Sequence, residues 1–250
     1  MSYFHKKFDQ YFLKDKNIAK KIVKNLSFQN YNTIVEIGPG LGILTRYLLN
    51  HKVFLIEIDK KLILFLRKNL SVHKNQIIHK DFLKWSPEEI NLKNFAIIGN
   101  FPYSISSQIL FQILKYNQYI PECIGMFQKE VAERITSHEG NKTYGILSVL
   151  VQTFYDVKYL FTVNQHVFFP IPNVKSAVIS LKRKERPFCN KDLLFQCVKI
   201  AFNQRRKTLK NALQYFIKEI PNHYDLPFLN KRAEQLSVKD FIQLTKEIEN

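Results

Sequence analysis

Thr33-Ile-Val-Glu-Ile-Gly-Pro-Gly-Leu-Gly42 is the stretch that decides the fold. Its first five residues are mostly aliphatic and read as a buried strand. They empty into a loop with glycine at 38, 40 and 42, and Leu44 to Leu48 beyond it has the spacing of one helical face. A strand, a glycine turn and a helix in that order can seat a nucleoside, because only glycine lets the backbone turn tightly and come close to a ligand. The spacing is Gly-x-Gly-x-Gly. A dinucleotide fingerprint wants its third glycine one position later, where Ile43 stands. The loop therefore suits a nucleoside without a pyrophosphate, and S-adenosylmethionine is the expected cofactor.

Working outward, short aliphatic runs recur at Val53–Ile56, Gln76–His79, Ala96–Gly99 and Cys123–Phe127. Between them Leu62, Leu66 and Leu70, then Ile109 and Ile113, carry helical spacing, and Ser86-Pro87-Glu88-Glu89 reads as a helix start. Such alternation predicts an α/β fold with a parallel sheet covered on both faces. After residue 150, Val157–Val163 and Ala177–Leu181 read as strands of an antiparallel edge. Lys182-Arg-Lys-Glu-Arg-Pro187 is the expected domain boundary, giving a catalytic domain over 1–186 and a helical domain over 187–250. The last helix opens at Ser237 and places Phe241, Leu244 and Ile248 on one face.

Two acids suit a nucleoside. Glu57 ends the second strand, where a carboxylate accepts from both ribose hydroxyls. Asp81 follows the third strand and is placed to accept from the adenine amine. Glu36 lies inside the first strand, where an unpaired carboxylate costs several kcal/mol, so it is expected to bond the loop backbone or the cofactor. Asn100-Phe-Pro-Tyr103 follows the fourth strand. Proline holds Phe101 extended and fixes the turn. The side-chain oxygen of Asn100 and the carbonyl of Phe101 can accept both protons of an adenine amine, localising its lone pair for methyl transfer. Tyr103 offers a stacking face for a flipped base.

The chain of 250 residues carries 38 Lys and Arg against 21 Asp and Glu, a formal charge of +17 that calls for a polyanionic partner. No apolar run approaches the ~20 residues of a membrane span, and Met1 to Lys7 lacks the apolar core of a secretory signal. Cys123, Cys189 and Cys197 are scattered, as expected of buried thiols in a reducing cytoplasm, and no metal site is expected. Arg205, Arg206, Lys207 and Lys210, with Lys199 upstream, form a basic cluster, and such a run is usually a solvated helix face.

Taken together, these motifs resemble the ribosomal RNA adenine dimethyltransferases, most closely the KsgA (RsmA) type that acts on small-subunit rRNA. Gln10, Phe12 and Leu13 match an N-terminal element that borders the cofactor in that family, and Val35 to Gly42 matches its cofactor loop. Glu57-Ile58-Asp59 and Asp81-Phe82 take the ribose and adenine positions, and Asn100-Phe-Pro-Tyr103 is similar to Asn-Leu-Pro-Tyr. Gln128–Ala132, Tyr144-Gly145, Leu147–Val149 and Phe168–Pro172 fit as well. Phe202 to Leu209 is the most specific match, because it separates this type from its relatives. Asp9, Tyr11, Phe101, Asn173 and Lys175 depart from the pattern, and Tyr11, Asn173 and Lys175 are assigned no role.

The resemblance implies a Rossmann-like class I S-adenosylmethionine-dependent methyltransferase sheet with a small all-helical C-terminal domain that binds rRNA. It also implies a catalytic set of Asn100, Phe101, Tyr103 and Phe168, the last facing Tyr103 across the target base. The cofactor set is Gln10, Phe12, Leu13, Glu36, Gly38, Gly40, Gly42, Glu57, Ile58, Asp81, Phe82 and Asn100. The charge excess, with the rRNA substrate that the resemblance implies, makes the basic cluster of Lys199, Arg205, Arg206, Lys207 and Lys210 the expected grip on RNA phosphates. The expected product is dimethyladenosine at two adjacent positions near the 3′ end of small-subunit rRNA, made by a cytoplasmic monomer acting on pre-30S particles. Two other readings compete. A large-subunit rRNA methyltransferase of the macrolide-resistance type is opposed by Phe202 to Leu209. A non-catalytic RNA-binding assembly factor on the same fold is opposed by Asn100 and Tyr103.

Overall fold

The computed structural model describes residues 10–185, 190–218 and 225–249. Asp9, Cys189 and the boundary expected at Arg186–Pro187 lie outside them. In chain order the elements begin with β1 (Phe12–Leu13), α1 (Lys16–Val23), β2 (Thr33–Ile37), β3 (Lys52–Glu57) and α2 (Lys60–Asn69). β4 (Ile77–His79), β5 (Phe95–Asn100), α3 (Ser106–Lys115), β6 (Glu122–Gln128) and α4 (Lys129–Thr136) follow. Next come α5 (Ile146–Phe154), β7 (Tyr155–Val163), β8 (Phe168–Phe169) and β9 (Ser176–Arg183). The remaining helices are α6 (Lys191–Asn203), α7 (Leu209–Ala212), α8 (Gln214–Ile217) and α9 (Val238–Glu249).

The chain divides into two compact units, one of residues 1–132 and 158–183, the other of residues 133–157 and 184–250. The second unit thus takes in a stretch before β7 as well as the C-terminal helices, where the sequence suggested a single change at 187. In the first unit a seven-stranded sheet runs β4-β3-β2-β5-β6-β9-β7. β2 pairs in parallel with β3 and β5, β5 pairs in parallel with β6, and β9 runs antiparallel to β6. The chain winds outward from β2 to β4 and then returns to the other side of β2 with β5. That reversal opens a crevice at the carboxyl ends of β2 and β5, the usual ligand position in a Rossmann-like sheet.

Two helix starts are shorter than their spacing suggests. Leu44 and Leu48 are buried as expected, but the element is one 3₁₀ turn, Thr45–Tyr47. Gly42 enters it with φ +74°, and the Tyr47 and Leu48 amides bond three residues back rather than four. Likewise Pro87–Ile90 makes a single turn, closed by left-handed Asn91 and by a bond from the Leu92 amide to the Pro87 carbonyl.

The second unit is built on α5, α6 and α9. Leu194, Cys197, Val198 and Ala201 of α6 and Phe241 and Leu244 of α9 are buried. Phe202 stacks on Phe241 at 5.8 Å and meets Tyr144 edge-on at 5.9 Å. Among the described residues no helix is long and apolar enough to cross a membrane.

Candidate active site

Two adjoining cavities lie across the carboxyl ends of the parallel strands and share Gly38 and Pro102 in their walls. The larger is about 390 Å³ and is lined by Ile37, Glu57, Ile58, Asp81, Phe82, Leu83 and Ile105 among others. That volume falls in the ~300–1,000 Å³ range of small-molecule sites. The smaller holds Gln10 to Leu13, Glu36, Gly40, Asn100, Phe101 and Tyr103, and has about 60 Å³, room for a few waters.

The larger cavity has the polarity of a nucleoside site. Gly38 has φ +62°, and the space a Cβ would take there is open, so its backbone can be approached from both cavities. Glu57 is buried at the end of β3, where its Oε1 accepts from the Ile58 and Asp59 amides at 2.9 and 3.0 Å. Its Oε2 accepts from the Gly40 amide at 3.3 Å, tying β3 to the glycine loop. Burial raises the Glu57 carboxyl above the usual range, and the three amides oppose that shift. Asp81 accepts from the Leu83 amide at 2.9 Å through one oxygen, and Leu83 and Ile105 supply apolar walls for a ring. A carboxylate for a diol, a second carboxylate for an amine and an apolar slot between them fit S-adenosylmethionine.

In the smaller cavity, Asn100 ends β5 and its Nδ2 donates to the Tyr11 carbonyl at 2.7 Å. That bond sets the amide's orientation, since a carbonyl can only accept, and leaves Oδ1 as an acceptor. Phe101 is 1% exposed, its ring edge-on to Phe127 at 5.0 Å. The ring lies over paired Gly99 and Gly125, where a Cβ would come within 2.6 and 2.5 Å of it. With the ring turned into the core, what Phe101 offers the cavity is backbone. Tyr103 is held by a 2.6 Å hydrogen bond between its hydroxyl and that of Ser176, and its ring stacks against Tyr11 at 5.1 Å. Glu36 is 2% exposed and accepts from the Thr45 hydroxyl at 2.7 Å. Its partner is thus Thr45, in the turn after the glycine loop.

The whole chain, residues 1–250, matches the family described as "Ribosomal RNA adenine dimethylase". The chain belongs to the ribosomal RNA adenine dimethylase family. Relatives named "Ribosomal RNA small subunit methyltransferase A" include one from Flavobacterium johnsoniae, 52% identical over 96% of this chain and 94% of the relative. Another, from Cytophaga hutchinsonii, is 51% identical over 94% of this chain and 93% of the relative. Among solved structures, a dimethyladenosine transferase from Plasmodium falciparum superposes with a TM-score of 0.81 at 27% identity, covering 95% of this chain and 97% of that one.

Three of the residues expected to act in this dimethylase-family chain are engaged by other contacts in the structure. Phe168 is 0% exposed, pairs with Leu13 across β1 and β8, and belongs to the core cluster. The strand alternates, so Phe169 is the exposed neighbour, and the ring against Tyr103 is Tyr11. Gly42 lines neither cavity; a Cβ there would lie 2.6 Å from Leu70, so it serves the packing of α2. Arg205 pairs with Glu234, and its remaining donors reach the carbonyls of Lys142 at 2.9 Å and Asn141 at 3.4 Å. Its guanidinium thus braces the second unit, with fewer donors left for a phosphate than its neighbours have. Arg206, Lys207, Lys199 and Lys210 are exposed as expected.

Sequence reasoning missed Tyr11, Ser176 and the basic pair Lys231 and Arg232. The Leu209 amide bonds the Lys231 carbonyl at 2.7 Å and Thr208 bridges Arg232, which brings this pair beside Lys207 and Lys210. Neither Ser176 nor this pair is near its partners in the chain. Tyr11 did carry a signal: an aromatic residue within Gln10 to Leu13, where the family has Asn or His.

Proposed function

We propose that this protein dimethylates two adjacent adenosines in the hairpin near the 3′ end of small-subunit rRNA, using S-adenosylmethionine, as a cytoplasmic monomer acting on precursors of the small subunit. The observation that carries the reading is Asn100: its amide is oriented by the Tyr11 carbonyl, so its oxygen stands as an acceptor beside a nucleoside-sized cavity. Glu57 and Asp81 would hold the ribose and the adenine of the cofactor. Bound there, S-adenosylmethionine supplies a methyl group activated on a positively charged sulfur.

The residues of the chain do the rest by placement. An adenine amine is a weak nucleophile because its lone pair spreads into the ring. Asn100 Oδ1 and the Phe101 carbonyl accept hydrogen bonds from the two amine N–H groups and turn the lone pair out of the ring plane, an electrostatic arrangement set before the reaction. Tyr103, fixed through Ser176, stacks on the target base. The smaller cavity is far too small for a purine, so the base must take Tyr11's place on Tyr103 or part the two rings. As the nitrogen–methyl bond forms, the positive charge passes from the sulfur to the amine nitrogen, which is then acidic enough to lose one proton to water, so a strong base is not needed.

Expression in a bacterium whose small-subunit rRNA lacks this modification tests the assignment. Reverse transcription should acquire a strong stop at two adjacent adenosines of the 3′ hairpin. Unmodified hairpin adenosines, with stops in large-subunit rRNA, would overturn it.

A further inference from the structure

One helix of the first unit carries a charge pattern that its own stability does not call for. Lys16, Lys20 and Lys24, the last at the C-cap of α1, follow at i, i+4 and i+8, a row about 12 Å long. Lys14 stands just before the helix, and all four are exposed. None of the four is in an ion pair among the described residues. Asp15 caps the helix through the Asn17 and Ile18 amides, and the sequence has no further acid until Glu36. Lys21 is engaged over the Phe161 ring at 3.9 Å and is left out of the row.

A helix on its own would be arranged differently. Lys14 and Lys16 lie at the positive end of the helix dipole, where cations are unfavourable. Lys16, Lys20 and Lys24 repel one another at i, i+4 spacing. Lys20 and Lys24 lie at the favourable end of the dipole, but a lysine-rich composition does not explain a row of like charges that begins at the unfavourable end and is unrelieved by acids. The row is also tethered to the site. Lys14 directly follows Leu13 of the smaller cavity, and its amide donates to the Val167 carbonyl at 2.8 Å, next to β8.

We infer that α1 is a phosphate-binding edge of the catalytic unit, holding the backbone of the RNA strand that flanks the target adenosine. The inference rests on the RNA substrate proposed above. RNA suits the row better than an anionic membrane, because Ala19, Ile22 and Val23, the apolar face of α1, are buried in the core and cannot enter lipid.

The test compares a Lys16→Gln, Lys20→Gln, Lys24→Gln variant with Arg67→Gln, Lys68→Gln, Lys74→Gln, which removes equal charge from an exposed surface away from both cavities. Affinity for unmethylated small subunits is measured across monovalent salt at constant magnesium. Each lost phosphate contact lowers the log–log salt slope by about 0.7–0.9. The α1 variant should lose about two units of slope and at least about tenfold in affinity, and Lys→Arg at the same three positions should restore both. Gln matches Lys in helix propensity, and unchanged S-adenosylmethionine affinity verifies folding. A slope equal to that of the control variant overturns the inference, as does row-dependent binding to phosphatidylserine vesicles with RNA affinity unchanged. If the wild type binds subunits through α1 but transfers no methyl group, the phosphate edge stands and the dimethylase reading fails.

Discussion

Replacing Glu36 by Gln should flatten the stability of this protein against pH above about pH 5. Glu36 sits in the middle of the sheet, paired with Leu55 on β3 and Ile98 on β5. Burial pushes its carboxyl from 4.5 up to about 8, with the Thr45 bonds opposing the shift and the charge of Glu57 adding to it. Between those values the folded protein keeps a proton that the unfolded chain has released. Stability is therefore lost as pH rises from about 4.5 through about 8 and then levels off. At ~1.4 kcal/mol per unit of displacement, the wild type should lose ~2–3 kcal/mol between about pH 6 and about pH 8.5 from this group alone. The substituted amide retains an acceptor for the Thr45 hydroxyl and cannot ionise. Urea denaturation of both proteins without cofactor, across that range, isolates the effect as the difference between the two curves. Parallel curves would refute the reasoning. A wild type that gained on the variant with rising pH would mean an ionised, well-paired Glu36.

Asn100→Ala should cut methyl transfer by ~10²–10³, the usual cost of one lost charge-placing group, with S-adenosylmethionine affinity by calorimetry within a few-fold. Tyr11→Ala should enlarge the smaller cavity and alter the KM for RNA while Tyr11→Phe leaves it unchanged, as steady-state kinetics would report. Gly125→Ala should destabilise the fold by ~1–3 kcal/mol in denaturant and shift the Phe101 turn, since its Cβ would meet the Phe101 and Phe127 rings at 2.5 Å. Arg205→Ala should lower the melting temperature through loss of the Glu234 pair, whereas Arg206→Gln with Lys207→Gln should leave melting unchanged and flatten the salt dependence of subunit binding.

The parallel strands were legible because each is a short aliphatic run with little periodicity of its own, as burial on both faces demands. Gly38, Glu57, Asp81 and Asn100 were legible for a related reason: each sits at the carboxyl end of such a run, and topology brings those ends together. What the chain concealed depends on side-chain direction or on distant partners. Phe168 and Phe169 are adjacent aromatics, and only the pairing of β8 with Leu13 decides which of them is buried. Arg205 looks like its neighbours Arg206 and Lys207 until Glu234, 29 residues on, comes within reach. Leu44 and Leu48 have helical spacing, yet left-handed Gly42 and the bond from Thr45 to Glu36 tighten the segment into a 3₁₀ turn.

The most direct measurement is the transfer of tritiated methyl groups from S-adenosylmethionine to purified unmethylated small subunits, with wild type and Tyr103→Ala side by side and nucleosides resolved after digestion. Label should appear as dimethyladenosine in small-subunit rRNA with the wild type, and little or none with the variant. Label in another nucleoside, or equal label with both proteins, would contradict the proposed function.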